Sequence, residues 1–126
     1  MFTFRKAEKL CSKKDIELLY KSGSSKTFYP LKIFWKVNKF ESSYPARVLI
    51  TVPKRLYKRA VDRNLMKRRI REAYRHAKPN FYSELVKKEI KMDVLIMYVG
   101  KEKEEFTAIQ KSLETGLKKI GEVISK

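Results

Sequence analysis

The sequence predicts one α+β domain over residues 1–126, with helices packed on a small sheet, and three observations carry that prediction. Its 126 residues fit a single core, since domains cluster near roughly 100–150 residues. Apolar residues make up 43% and aromatics 12%, which separates the chain from disordered basic tails, poor in both. Hydrophobic periodicity also switches between helical and strand spacing, in the order α, β, β, α, β, α, with room for a further strand within Ser24–Phe40.

The first helix is expected at about Lys13–Lys21. Ser12 with Asp15 three residues on resembles a capping box; Ile16, Leu19 and Tyr20 then recur at helical spacing, and Gly23 supplies a stop. In Phe28–Phe40, Leu31, Ile33, Trp35 and Val37 alternate with Lys32, Phe34, Lys36 and Asn38, the pattern of a strand with two unlike faces. Glu41–Pro45 reads as a turn. Arg47–Val52 alternates again, with Val48, Ile50 and Val52 opposite Arg47, Leu49 and Thr51. These two strands are expected to form an antiparallel hairpin.

Arg59–His76 contains neither Gly nor Pro and is rich in helix formers. At about 100° per residue, Met66, Ile70, Ala73 and Ala77 form one stripe with Tyr74 at its edge, the expected buried side. Pro79 and Asn80 are expected to end this helix. Phe81–Lys91 reads as either a short helix or an ordered loop. Met92–Val99 is a near-continuous apolar run, hence a well-buried strand. From Glu104 onward, Phe106, Ile109, Leu113, Leu117, Ile120 and Ile124 mark a long amphipathic helix.

Composition narrows the function. Cys11 is the one cysteine, so no disulfide framework is available and a reducing, cytoplasmic setting is expected. The longest uncharged apolar run, Val94–Gly100, is far short of the ~20 residues of a membrane span. Met1–Lys6 lacks an apolar run of secretory length, so export is not expected. The net charge of +17 opposes self-association and asks for a polyanion. Nucleic acid comes first and an anionic membrane second.

The charge is unevenly placed. Lys54–Arg75 holds ten basic residues against two acids, Asp62 and Glu72. Arg63, Lys67, Arg71 and Arg75 stand four residues apart and climb one side of the helix, with Asn64 and Arg68 alongside. Like charges at this spacing cost about 0.2–0.5 kcal/mol per pair. A charged helix face is often only a solvated one, but a structural helix would interleave acids; a bare cationic ridge makes sense once phosphates neutralise it. Lys54, Arg55, Lys58 and Arg59 extend the ridge ahead of the helix, and its arginines offer planar forks to phosphate.

The outer face of the strand pair differs. Lys32, Phe34 and Lys36 beside Arg47 and Thr51 set an aromatic among cations, an arrangement that suits the unstacked bases and backbone of a single strand. Phe34 is equally readable as core beneath a helix, and Tyr20 either joins this groove or packs on the sheet. Protein-based catalysis finds no support. His76, the one histidine, is read as complementing a helix end, and Cys11 has no partner base. Asp62 and Glu72 are too far apart for a metal pair and are expected to orient neighbouring arginines.

The segment Lys54–Arg75 resembles the signature of the protein subunit of bacterial ribonuclease P. That family carries a basic pair, an Ala-Val, then Arg-Asn-Arg, Lys-Arg and Arg-Glu at fixed spacings, matched here by Lys54 and Arg55, Ala60 and Val61, Arg63 and Asn64, Lys67 and Arg68, and Arg71 and Glu72. Leu10, Lys13–Asp15 and Gly23 resemble the family's first helix. Three positions depart from the pattern. Leu65 replaces the second arginine of Arg-Asn-Arg, Arg69 stands where an apolar residue is usual and is expected to compensate in part, and Ile16 replaces a groove phenylalanine.

The resemblance implies an αβββαβα fold, a small mixed sheet and a left-handed βαβ crossover through the basic helix. It implies a ribonucleoprotein that removes the 5′ leader of precursor tRNA, with the RNA subunit as catalyst and Mg²⁺ held mainly by RNA. Lys54, Arg55, Lys58, Arg59, Arg63, Asn64, Lys67, Arg68, Arg71 and Arg75 would then face the catalytic RNA. Ile16, Tyr20, Lys32, Phe34, Lys36, Arg47 and Thr51 would line the leader groove. No membrane or protein partner is implied. Two other readings share the basic ridge: a structural RNA-binding protein of ribosomal type, and a protein that sets its basic helix in a DNA major groove.

Overall fold

A computed structural model of the chain describes residues 8–41 and 43–124. Met1–Lys6 and Ser42, both used in the sequence reading, lie outside the described residues. The elements are α1 (Lys13–Ser22), β1 (Ser24–Phe28), β2 (Leu31–Val37), β3 (Ala46–Thr51), α2 (Ala60–Lys88), β4 (Met92–Tyr98) and α3 (Phe106–Val123). The order is αβββαβα, and the further strand within Ser24–Phe40 is β1.

The expected pairing of Phe28–Phe40 with Arg47–Val52 is not formed. The sheet order is β1-β2-β4-β3. β1 and β2 make the hairpin, turning at Tyr29–Pro30, while β4 lies antiparallel to β2 and parallel to β3. β4 is the most apolar strand and takes the centre, where both faces are covered; of its seven residues only Met97 is not fully buried.

The parallel pair β3–β4 is joined through α2, and its hand follows from local chirality. Val48 turns its side chain toward the helices, where it packs with Met66 and Ile70. Its carbonyl accepts from Leu10 N–H at 2.9 Å, on the side away from β4. In an L-residue strand pointing up with the side chain toward the viewer, the carbonyl points right. β4 therefore lies to the left of β3 beneath α2, so the crossover is left-handed, against the usual preference.

Two apolar layers result. Leu31, Ile33, Val48, Val94, Ile96 and Tyr98 meet α2 and α3 on one face. On the other, Leu95 meets Leu10 and Leu19, with Ile16, Phe34, Leu49 and Met97 partly buried around them. The expected stripe on α2, Met66, Ile70, Ala73, Tyr74 and Ala77, is buried.

Pro79 does not end α2, which runs on to Lys88. An interior proline costs a helix about 3 kcal/mol. Burial of Phe81 and Leu85 beyond it (4% and 1% exposed) offsets that, at roughly 1.5–3 kcal/mol per side chain. The ambiguous Phe81–Lys91 segment is mostly the rest of this helix. Its stop is Glu89 at φ 56°, a left-handed end.

Residues 8–10 run along the free edge of β3, with a parallel bridge between Lys9 and Val48. Glu8 is fully buried there and accepts from Lys78 Nζ at 3.0 and 2.8 Å and from the Tyr82 hydroxyl at 2.6 Å. This pair ties the N-terminal segment to α2.

Candidate nucleic-acid interface

The basic segment divides into side chains that the protein holds and side chains that it leaves outward. Lys54, Arg55, Lys58, Arg59, Asn64, Arg68 and Arg71 are exposed, and Lys67 is half-buried. Arg63 donates from one guanidinium nitrogen to the Tyr57 and Lys58 carbonyls, both at 2.8 Å, which folds the preceding loop onto the helix start. Arg75 bonds Glu72 at 2.5 Å.

Arg69, expected to compensate in part for Leu65, has one guanidinium nitrogen engaged within the protein. It lies on the flank of α2 that faces α3, where it donates to the Glu104 carbonyl at 2.6 Å. Asp62 orients no arginine; it accepts from Lys103 at 2.6 Å, and that bond, followed by the neighbouring positive charges, holds its carboxyl below the usual range. Glu72 does hold Arg75, as expected. His76 is far from a helix end, because α2 continues for twelve residues beyond it. It pairs with Glu72 at 3.1 Å and meets the Phe106 ring edge-on. Cys11 is exposed.

The second surface lies on the opposite face of the sheet, under α1. Ser12 caps α1 through Asp15 N–H, and the helix buries Leu19 on Leu10 and Leu95. Tyr20, 47% exposed, meets the Phe34 ring edge-to-face with centroids 5.2 Å apart. The Lys32 ammonium lies 5.1 Å from the Phe34 centroid. Beyond α1 the sheet presents Lys32, Met97 and Thr51 as one register row. Tyr20, Phe34 and Lys32 thus gather on this face, Ile16 packs half-buried on the apolar cluster beneath α1, and Thr51, at the far end of β3, has its hydroxyl buried with no partner among the described residues. β3 leads from the Thr51 end straight to Lys54 and Arg55, so the two surfaces are contiguous.

Phe34, Leu95 and Leu49 form the next row on this face, and Lys36, Asp93 and Arg47 the row after it, near Asp15 at the start of α1. Arg47, expected as a groove cation, is engaged by two carboxylates of the protein. Its Nε and one terminal nitrogen donate to the two carboxylate oxygens of Asp93 at 2.8 and 3.0 Å, and the same terminal nitrogen reaches Asp15 at 3.0 Å. Its guanidinium lies 4.1 Å from the Phe40 centroid. Burial alone would lower its pKa, but Asp93 and then Asp15 carry it above the usual value.

Leu49 stands on the face with Arg47 and Thr51 as the phase of β3 predicts, whereas the roles of Met97, Asp15 and Asp93 in this region fall outside the sequence expectations. Asp93 gives no sequence signal beyond a lone acid inside an apolar run. Among the described residues no three His, Cys, Asp or Glu side chains converge to hold a metal, and no helix is long and apolar enough to cross a membrane.

Residues 4–121 match the family model described as Ribonuclease P. The ribonuclease P protein component of Porphyromonas gingivalis is 28% identical over 119 residues, which span 94% of this chain and 87% of that one. The same component of Legionella pneumophila is 34% identical over 76 residues, covering 60% and 64%. The solved ribonuclease P protein of Staphylococcus aureus superposes with a TM-score of 0.67 at 27% identity, covering 91% of this chain and 96% of that one. The protein from Thermotoga maritima shares the fold, with a TM-score of 0.70 at 23% identity, over 89% and 96%.

Proposed function

The chain belongs to the ribonuclease P protein family, and from that membership we propose that it binds the catalytic RNA of the ribonucleoprotein and the 5′ leader of precursor tRNA, assisting endonucleolytic removal of the leader. One observation supports the division of labour. The chain has two contiguous surfaces of different chemistry: a ridge of outward cations, and a cleft with two rings and a lysine. Phosphates of a folded RNA suit the first, where charge neutralisation supplies affinity without reading sequence. A single strand suits the second, because unstacked bases lie against rings while cations meet the backbone.

Catalysis in this reading belongs to the RNA subunit. The outward cations of the ridge disfavour Mg²⁺ on that surface. The metal is assigned to the RNA, and the protein's part is to lower the electrostatic cost of bringing RNA and precursor together. The assembled enzyme is expected to work in the cytoplasm, where precursor tRNA is made.

Reconstitution with the RNA subunit from the same organism tests this. Addition of the protein should restore precursor cleavage at low Mg²⁺ and tighten precursor binding relative to mature tRNA, while the protein alone cleaves nothing. Cleavage of precursor by the isolated protein, or equal affinity for precursor and mature tRNA in the holoenzyme, would refute it.

A further inference from the structure

We propose that Arg47 is a positioning residue for the leader cleft: by bridging Asp93 of β4 to Asp15 of α1 it fixes how Tyr20 stands against Phe34, without itself touching RNA. The proposal rests on the leader reading above and adds a residue that governs its selectivity.

The geometry is that of a clamp. Asp93 is 2% exposed at its side chain, and its two oxygens accept three bonds, two from Arg47 and one from Asn38 Nδ2 at 2.8 Å. The Arg47 fork is therefore fixed from below by a carboxylate that cannot turn to solvent. Phe40 covers its flat face. The terminal nitrogen already bonded to Asp93 also donates to Asp15 of α1. Among the described residues this is the one side-chain hydrogen bond between α1 and the sheet; the other anchors are the apolar cluster around Leu19 and the edge-to-face contact of Tyr20 with Phe34.

The helix geometry turns that bond into control of the cleft. Asp15 and Leu19 are four residues apart and form the row facing the sheet, while Ile16 and Tyr20 form the neighbouring row facing the cleft. Without Asp15, only the apolar packing of Leu19 and Ile16 and the Tyr20–Phe34 ring contact would oppose a roll of this short helix. A second fixed point at Asp15, roughly one turn away, removes that freedom and holds Tyr20 in its edge-on pose at Phe34. A lysine at position 47 would keep the charge but could not span both carboxylates with one planar fork.

The prediction opposes the direct-contact reading on a particular variant. If Arg47 gripped a leader phosphate, Asp15→Asn would release its guanidinium and leave precursor binding equal or tighter. If Arg47 positions α1, the same change weakens the clamp. The holoenzymes carrying Asp15→Asn, Arg47→Lys and both changes are to be compared with wild type for affinity toward precursor tRNA, mature tRNA and the RNA subunit, with circular dichroism to show that each variant is folded.

The expected result is a loss of precursor-over-mature preference on the order of tenfold in either single variant, comparable with losing one base stack. The double variant should be no worse than the singles, and RNA-subunit affinity with its salt dependence should stay unchanged. Preserved preference in Asp15→Asn, additive losses, or a parallel fall in RNA-subunit affinity would overturn the proposal. A wild-type holoenzyme with no precursor preference would instead refute the leader reading on which it rests.

Discussion

Replacing Arg68 or Arg71 by alanine should flatten the salt dependence of binding to the catalytic RNA, whereas replacing Arg69 should not. All three lie in the same basic stretch of α2, and composition alone does not separate them. The structure does: Arg68 and Arg71 are exposed, while Arg69 is anchored on the Glu104 carbonyl. Of the ten cations between Lys54 and Arg75, Arg63, Arg69 and Arg75 are held by protein groups, which leaves seven to face phosphate. Each phosphate neutralised contributes roughly 0.7–0.9 to the slope of log K against log salt, so full engagement corresponds to a slope near about −5 to −6. Arg68→Ala and Arg71→Ala should each make it shallower by about 0.7–0.9. Arg69→Ala should leave the slope intact and lower the melting temperature, through the lost anchor of the α3 approach. The assay is a fluorescence titration of the RNA subunit over a range of monovalent salt. Equal slopes for wild type and both exposed-arginine variants would make the ridge a solvated face and refute the argument.

Three further outcomes follow from contacts elsewhere. Lys78→Met removes a bidentate cation from the buried Glu8 carboxylate and should cost about 3–5 kcal/mol, a fall of roughly 10–20 °C in Tm; combining it with Glu8→Leu should recover most of that in thermal melts, and a single variant as stable as wild type would contradict it. Burial raises the pKa of Tyr74, Tyr82 and Tyr98. The fold then retains protons that the unfolded chain releases near pH ~10, so stability should fall as pH rises above that value; tyrosinate absorbance should appear together with loss of circular dichroism, and ionisation of these rings in an intact fold would count against it. Tyr20→Ala and Phe34→Ala should each lower precursor-over-mature preference by about 1–3 kcal/mol, whereas unchanged preference would favour a purely structural RNA-binding role.

Much of this architecture is legible in the residues, and the failures share a cause. α1, β2, β3, the first half of α2 and α3 are marked by their periods and Met92–Val99 by a continuous apolar run, as a central strand under two layers requires, whereas β1 and the end of α2 carry no such signal. Alternation cannot say which strand pairs with which. Glu41–Pro45 resembles a hairpin turn, yet the apolar demand of β4 places it between β2 and β3. Pro79 is a helix breaker locally, and tertiary burial of Phe81 and Leu85 prevails.

The same limit governs the site. The ridge was visible because its spacing is local, within one helix. Arg47 was placed on the correct face, but its partners Asp15 and Asp93 lie 32 and 46 residues away, and only the folded sheet shows that its guanidinium is occupied. Arg69 carries the same formal charge as its neighbours, and its orientation toward α3 becomes decisive only once α3 is in place.

A chemical nuclease tethered at two positions addresses the two-surface account most directly. In a Cys11→Ser background, an iron chelate is attached to a cysteine introduced at Arg68 or at Tyr20, and the holoenzyme is assembled with precursor tRNA. The probe at position 68 should cut the catalytic RNA, and the probe at position 20 should cut the leader. Strand scission in the leader from position 68, or none in either RNA from position 20, would contradict the account.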